Sequence, residues 1–168
     1  VSTLPKKVNR HFLKEKEAKQ LLADISKKVK IDMQNVFGTK PTIEAIEDDE
    51  TKIFVFDGKP VLANIGDMFF PTLLFDKALT SFPKVVVDMG AIPHICGGAD
   101  VMAPGIVKVE GEFDKNDVVL IIDVQHRKPI AVGLALLNSK EMKSLKHGKM
   151  VKNVHFVGDK LWSLLKKI

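Results

Sequence analysis

The sequence predicts an α+β protein of two domains: an N-terminal α+β domain over residues 1–82 and a mostly β, barrel-like domain over residues 83–168. Three observations carry this expectation. Apolar residues recur at helical spacing in residues 14–29, and the period changes to two from Thr42 onward. Phe82-Pro83 then follows an apolar segment, the kind of break that marks a boundary near Ser81 to Pro83. Beyond it, strand-like runs surround Val87–Ile106, a stretch holding four glycines and two prolines. At 168 residues and 45% hydrophobic content, the chain can bury a core for one domain or two small ones.

Each element has its own warrant. Ala18, Leu21, Leu22, Ile25 and Val29 form one helical stripe, with Lys14, Lys16, Lys19, Lys27 and Lys28 mostly outside it. A shorter turn of helix from Asp32 to Phe37 stops at Gly38. Residues 42–47, 52–56 and 60–65 read as strands, and Asp57-Gly58 between the last two is a tight-hairpin signal. Asp48, Asp49 and Glu50 read as a solvated turn and not as a metal site. Phe69-Phe70-Pro71-Thr72 leads into an expected short helix through Leu79, begun by Pro71 or Thr72.

In the second half, residues 85–88, 105–110, 118–124 and 130–136 read as strands by β-branched content and alternation. Ser139 is expected to cap a helical turn over 140–145. Val154–Val157, a Gly158-Asp159 turn and Leu161–Leu164 read as a closing hairpin, although Leu161, Leu164, Leu165 and Ile168 also fit a helix. Several short strands between turns suggest a small barrel.

Charge is unevenly placed. Lys and Arg against Asp and Glu number 9 to 4 in residues 1–38, 9 to 15 in 39–138, and 8 to 2 in 139–168. Two basic ends around an acidic middle fit a polyanion binder if the ends meet in space, and fit simple solubility otherwise. No apolar run reaches membrane-spanning length and no secretory-signal core is present, so a soluble, cytoplasmic protein with no membrane partner is expected. Cys96, the only cysteine, excludes an internal disulfide and agrees with a reducing compartment. Starting at Val1 instead of Met, the chain is expected to have lost its initiator or a short leader.

The Val87–Ile106 stretch is where a partner is expected to dock. Gly90, Gly97, Gly98 and Gly105 are expected to supply positive φ or close backbone approach around a short apolar piece, Ala91–Cys96, with helical potential. Asp88 reads as that helix's cap. Met89 and Met102 read as core or rim contacts. His94 and Cys96, two apart, lack the further ligand or orienting carboxylate that a metal site or nucleophile pair needs. No Walker loop, dinucleotide fingerprint or serine nucleophile motif occurs, and no catalytic residue, metal or cofactor is expected. With no Tyr and one Trp, stacking on single-stranded bases is a poor fit.

Asp88-Met89-Gly90-Ala91, Gly98-Ala99-Asp100-Val101-Met102, Pro104-Gly105-Ile106 and Ala131-Val132-Gly133-Leu134-Ala135 together resemble the PUA domain of pseudouridine synthases and archaeosine transglycosylases. Phe69–Leu73 and Val154–Trp162 are similar to the malignant T-cell-amplified sequence family and its archaeal relatives, covering nearly the whole chain. That resemblance implies a pre-PUA domain over residues 1–82, a PUA pseudo-barrel over 83–168, and non-enzymatic binding of structured RNA, a tRNA or an rRNA. It also implies work in translation initiation, reinitiation or recycling on the small ribosomal subunit, beside a separate initiation-factor-one-like protein. The RNA-contact candidates are the backbone at Gly90, Ala91, Gly97, Gly98 and Ala99, with Lys84, His94, Lys108, Arg127 and Lys128 as surrounding charges. Two rival expectations are an accessory subunit for an RNA-modifying enzyme and a protein-interaction module using Phe69 and Phe70.

Overall fold

The computed structural model describes residues 8–75 and 79–168, and its contacts separate two units, Val1–Lys77 and Ala78–Ile168. The first holds β1 (Asn9–Phe12), α1 (Glu15–Lys28), α2 (Met33–Phe37), β2 (Ile43–Glu47), β3 (Thr51–Phe56), β4 (Lys59–Ile65) and β5 (Met68–Pro71). Its strands form one antiparallel sheet in the order β1-β2-β3-β4-β5. Leu21, Leu22, Ile25 and Val29 of the helical stripe are buried. The Lys14 amide donates to Glu17 Oε1 at 3.2 Å, closing the first turn of α1, and Lys27 and Lys28 sit at its negative end. The Asp32 carboxylate accepts from the Gln34 and Asn35 amides at the start of α2. Asp57 and Gly58 both have positive φ, 49° and 86°, the backbone of a type I′ hairpin turn. Asp48 Oδ1 accepts from the Glu50 and Thr51 amides at 2.9 and 2.7 Å, so its carboxylate shapes a turn.

One expectation here is corrected, the helix begun at Pro71 or Thr72. Residues 69–71 are strand, not the approach to a helix, because Met68–Pro71 pairs with Leu62–Ile65. Thr72 continues that edge: its amide donates to Val61 O at 2.9 Å and its hydroxyl to Pro60 O at 3.0 Å. No helix starts at Thr72; residues 76–78 of the expected helix lie outside the described residues, and Leu79, where it was expected to end, is helical. β1, all four residues of which are exposed, carries no alternation that would have announced it.

The second unit contains β6 (Lys84–Val87), α3 (Ile92–Ile95), β7 (Val101–Met102), a 3-10 turn (Ala103–Gly105), β8 (Ile106–Glu110), β9 (Val118–Asp123), β10 (Pro129–Ala135), α4 (Ser139–Ser144), β11 (Lys149–Phe156) and α5 (Lys160–Leu165). Its six strands run in the order β7-β11-β10-β9-β6-β8 and curl into a half-barrel. β6 is parallel to β9 and every other pair is antiparallel. Val85, Val87, Val119, Ile121, Ala131 and Val151 lie in the core on its inner side. β9 is buried along its whole length, which explains its unbroken Val-Val-Leu-Ile-Ile run. At Gly133, a Cβ would collide with the Val151 side chain and lie 2.8 Å from Lys152 O, so β10 and β11 approach as closely as they do because no side chain intervenes.

The last segment is a helix, and the expected closing hairpin is not formed. Asp159 Oδ1 accepts from the Trp162 amide at 2.7 Å, which caps α5. The cap of α4 is Asn138, one residue before Ser139; its Oδ1 accepts from the Glu141 amide at 2.8 Å. Ser139 is buried instead, its hydroxyl accepting from the Phe113 amide at 3.3 Å.

Candidate nucleic-acid interface

The connection from β6 to β7 builds a short, tightly internally bonded loop. Asp88 Oδ1 accepts from the Ala91 amide at 2.9 Å, setting the turn into α3, whose Ile95 is buried as its anchor. The chain then folds back on the helix end: Gly97 and Ala99 amides donate to His94 O at 3.1 and 3.0 Å, and the Gly98 amide to Ile95 O at 3.0 Å. The amides of Ala91, Gly97, Gly98 and Ala99 are therefore engaged within the loop and do not project as a phosphate cradle. What the loop presents is a surface, with Met89, Gly90, Pro93, His94, Gly97, Gly98 and Ala99 all exposed.

The glycines divide by role. Of the four, only Gly98 has positive φ, +99°, which the reversal after α3 requires. A Cβ on Gly105 would stand 3.1 Å from that of Ala91, so this glycine lets the 3-10 turn pack beneath α3. A Cβ on Gly97 would stand 3.3 Å from Pro93 O. Gly90 is unlike these: a Cβ there meets only Asp88 Oδ1, at the ordinary contact distance of 3.5 Å, and its φ is outside the left-handed region. Nothing in the fold requires a glycine at position 90.

Asn153 on β11 fastens this loop to the sheet. Its Nδ2 donates to Ile95 O at 2.9 Å and Ala99 O at 3.0 Å, while its backbone amide donates to Asp100 Oδ1 at 2.9 Å. Asp100 also meets the Lys149 ammonium at 3.5 Å. The Phe156 ring lies beneath Gly98, 3.5 Å from where its Cβ would be. Sequence reasoning missed the roles of Asn153 and Asp100; Asn153 sits among Lys149, Lys152 and His155 in β11, so its amide does not stand out locally.

The expected cations fall into three places. Lys84 begins β6, at the end away from the loop, and its ammonium donates to Thr80 O and Phe82 O at 3.0 and 2.9 Å. The β9–β10 turn leaves the sheet at the loop end, since Val124 N donates to Val87 O at 3.0 Å. Arg127 in that turn forms a two-pronged contact with Glu110, at 2.6 and 3.1 Å, and Lys108 lies 3.6 Å from the same carboxylate. The Arg127 hydrogen bonds, aided by the nearby Lys108 charge, hold the Glu110 carboxyl below the usual range despite partial burial. One carboxylate thus serves two of the expected RNA-contact cations. Lys128 is exposed beside them. The turn itself is shaped by buried Asp123, whose carboxylate accepts from the His126 and Lys128 amides and is held below its usual pKa first of all by the His126 contact.

Two further groups complete this end. Burial pushes the Cys96 thiol up, which disfavours the thiolate that nucleophilic chemistry beside His94 would need. His155 is fully buried, and its Nδ1 lies 2.9 Å from Asp159 Oδ2, which also accepts from the Phe156 amide. Burial alone would push the Asp159 carboxyl up, but the His155 ring and the Trp162 and Phe156 amides together hold it below its ordinary value. Of the ten RNA-contact candidates, Gly90, Ala91, His94, Gly97, Gly98 and Ala99 therefore share one loop, Lys108, Arg127 and Lys128 lie around the β9–β10 turn and β8, and Lys84 stands apart.

The PUA domain model matches residues 83–157, and a domain of unknown function, DUF1947, matches residues 9–76. An uncharacterized protein of Methanocaldococcus jannaschii is 42% identical over 158 residues, covering 92% of this chain and 95% of that protein. Translation machinery-associated protein 20 of Schizosaccharomyces pombe is 32% identical over 124 residues, covering 70% of this chain and 68% of that protein. This chain belongs to that PUA-domain family. Another relative is malignant T-cell-amplified sequence 1 of Danio rerio, 29% identical over 57% of this chain and 55% of that protein. A PUA domain of Aeropyrum pernix K1, solved as a tartrate complex, superposes with a TM-score of 0.83 at 32% identity, over 95% of this chain and 92% of that one. In this PUA-family chain the pre-PUA and PUA regions correspond to the two sheets described above.

Proposed function

We propose that this PUA-family protein is a non-enzymatic, cytoplasmic RNA-binding protein of translation, acting in initiation, reinitiation or ribosome recycling. Its ligand is structured RNA, a tRNA or an rRNA, and its setting is the small ribosomal subunit with an initiation-factor-one-like partner. The observation that carries this reading is the joint match of both regions, pre-PUA and PUA, in a chain whose similarity to translation machinery-associated protein 20 extends over 68% of that protein. The loop geometry supports the same reading. Gly90 lacks a side chain for no reason internal to the fold, which suits close approach of an RNA backbone. With the amides of Gly97, Gly98 and Ala99 already bonded, charge contacts fall to side chains: His94 on the loop, Lys128 and Arg127 at the β9–β10 turn, and Lys108 on β8.

The test is fluorescence anisotropy of labelled deacylated tRNA and of a small-subunit rRNA hairpin across a salt series. Binding should weaken with a log-log slope of about 0.7–0.9 per phosphate contacted, and Gly90→Val should weaken it without lowering stability. An affinity insensitive to salt, or no affinity for either RNA, would overturn the proposal.

A further inference from the structure

A groove of about 470 Å3 opens on the second unit between β8, the 3-10 turn before it and α4. Its wall is unusual for exposed surface. Val107 and Leu145 are 55% and 49% exposed, Pro104 is exposed beside them, and most of the remaining lining is apolar. The charged residues that line it are Lys108, Lys143 and Lys146, and no acidic residue does. Lys108 is 3.6 Å from Glu110, whereas Lys143 and Lys146 form no ion pair among the described residues.

Three physical features narrow what this groove can hold. β8 is a sheet edge, but Lys108 pairs with Val86 and Ile106 with Val87, which leaves Val107 as a bulge residue, and Lys108 stands mid-strand. A bulge and a lysine both blunt an edge against strand addition, so recognition must come from side chains. The wall offers aliphatic surface without an aromatic ring or guanidinium, which is a poor platform for nucleic-acid bases. Aliphatic surface flanked by ammonium groups of one sign complements a ligand that is apolar at its centre and negative at its margins.

We propose that this groove binds an acidic peptide segment of a partner protein, with one apolar anchor side chain against Val107 and Leu145. Carboxylates on either side of the anchor meet Lys108, Lys143 and Lys146. Lys108 is the one residue shared with the RNA-contact candidates, so the proposal stands independently of the RNA reading, and failure of either leaves the other intact.

The experiment is an NMR titration of the full-length labelled protein with a short synthetic peptide of aspartate and glutamate around a central leucine. Amide shifts should concentrate at Val107, Lys108, Leu145 and Lys146. Replacing the peptide's leucine by serine should weaken binding about tenfold or more. Lys143→Glu with Lys146→Glu, and separately Leu145→Ser, should each weaken it about tenfold, and all three positions are exposed, so the fold tolerates the changes. Equal affinity for the leucine and serine peptides would reduce the effect to charge alone and overturn the proposal. Shifts scattered over other lysines, or an RNA hairpin shifting the groove residues while the peptide does not, would overturn it too.

Discussion

Asn153→Ala isolates the fastening of the α3 loop. The substitution removes two neutral hydrogen bonds, to Ile95 O at 2.9 Å and Ala99 O at 3.0 Å. Each such bond contributes about 0.5–1.5 kcal/mol net. Two circumstances hold the total down. Ile95 O keeps the Gly98 amide as a partner, and the substitution also removes Asn153 Oδ1, a buried atom with no hydrogen-bond partner among the described residues. The backbone bond from Asn153 N to Asp100 Oδ1 survives because it needs no side chain. The expected net loss is about 1–2 kcal/mol, concentrated in the loop. Amide hydrogen exchange measures it directly: Gly97, Gly98 and Ala99 should exchange about 5–30-fold faster, while amides of β9 keep most of their protection. RNA affinity should fall in parallel. Unchanged exchange at these three amides would refute the reasoning that Asn153 holds the loop.

Gly133→Ala should be among the most damaging single-methyl additions, because its Cβ meets the Val151 side chain and backbone O of Lys152 between paired strands; overpacking of about 1–3 kcal/mol should appear as a Tm drop of about 5–20 °C, and an unchanged Tm would contradict it. Glu110→Gln should remove the carboxylate that competes with phosphate for Lys108 and Arg127, tightening RNA binding and steepening its salt dependence by up to about 0.7–0.9 for each cation freed; an affinity and slope both unaltered would place the two cations off the RNA. Asp159 sits below its ordinary pKa when folded, so its contribution is complete above an unfolded value of about 3.9 and is lost as pH falls through the lower folded value. Asp159→Asn should therefore lower stability at neutral pH and flatten the acid limb of a stability–pH curve measured by urea unfolding, and a parallel, unflattened curve would exclude this role.

Where local chemistry and tertiary packing agree, the elements were legible in the residues. The α1 stripe, the short helix that stops at Gly38 and the Asp57-Gly58 hairpin each carry a signal complete within a few positions, and each forms as expected. β1 had none, since its residues are exposed and its place depends on the distant β2, Asn9 pairing with Glu47. The final segment was ambiguous because Leu161 and Leu164 suit either period; Asp159 decided it by capping the Trp162 amide. In the glycine loop, composition located the feature but misjudged its physics. One glycine serves positive φ, two serve close packing, and the amides expected to face a ligand turn back to His94 and Ile95. Asn153 was hidden for a different reason: its partners lie more than fifty residues away, separations of 58 and 54, which no local pattern encodes.

The strand orders of the two sheets carry a consequence for how each is made. In the first, β2 to β5 follow one another as successive neighbours, so each hairpin can close soon after its second strand exists. In the second, β6 lies between β8 and β9, and β11 must enter between β7 and β10. Closing such distant pairs has an entropic cost before their contacts reward it, which slows formation. During synthesis the meander can therefore assemble while the half-barrel waits for β11, leaving β7 and β10 transiently without the strand they share as a neighbour. The strand orders predict assembly of the pre-PUA sheet before the PUA sheet, and substitutions in β11 should slow the second step far more than the first.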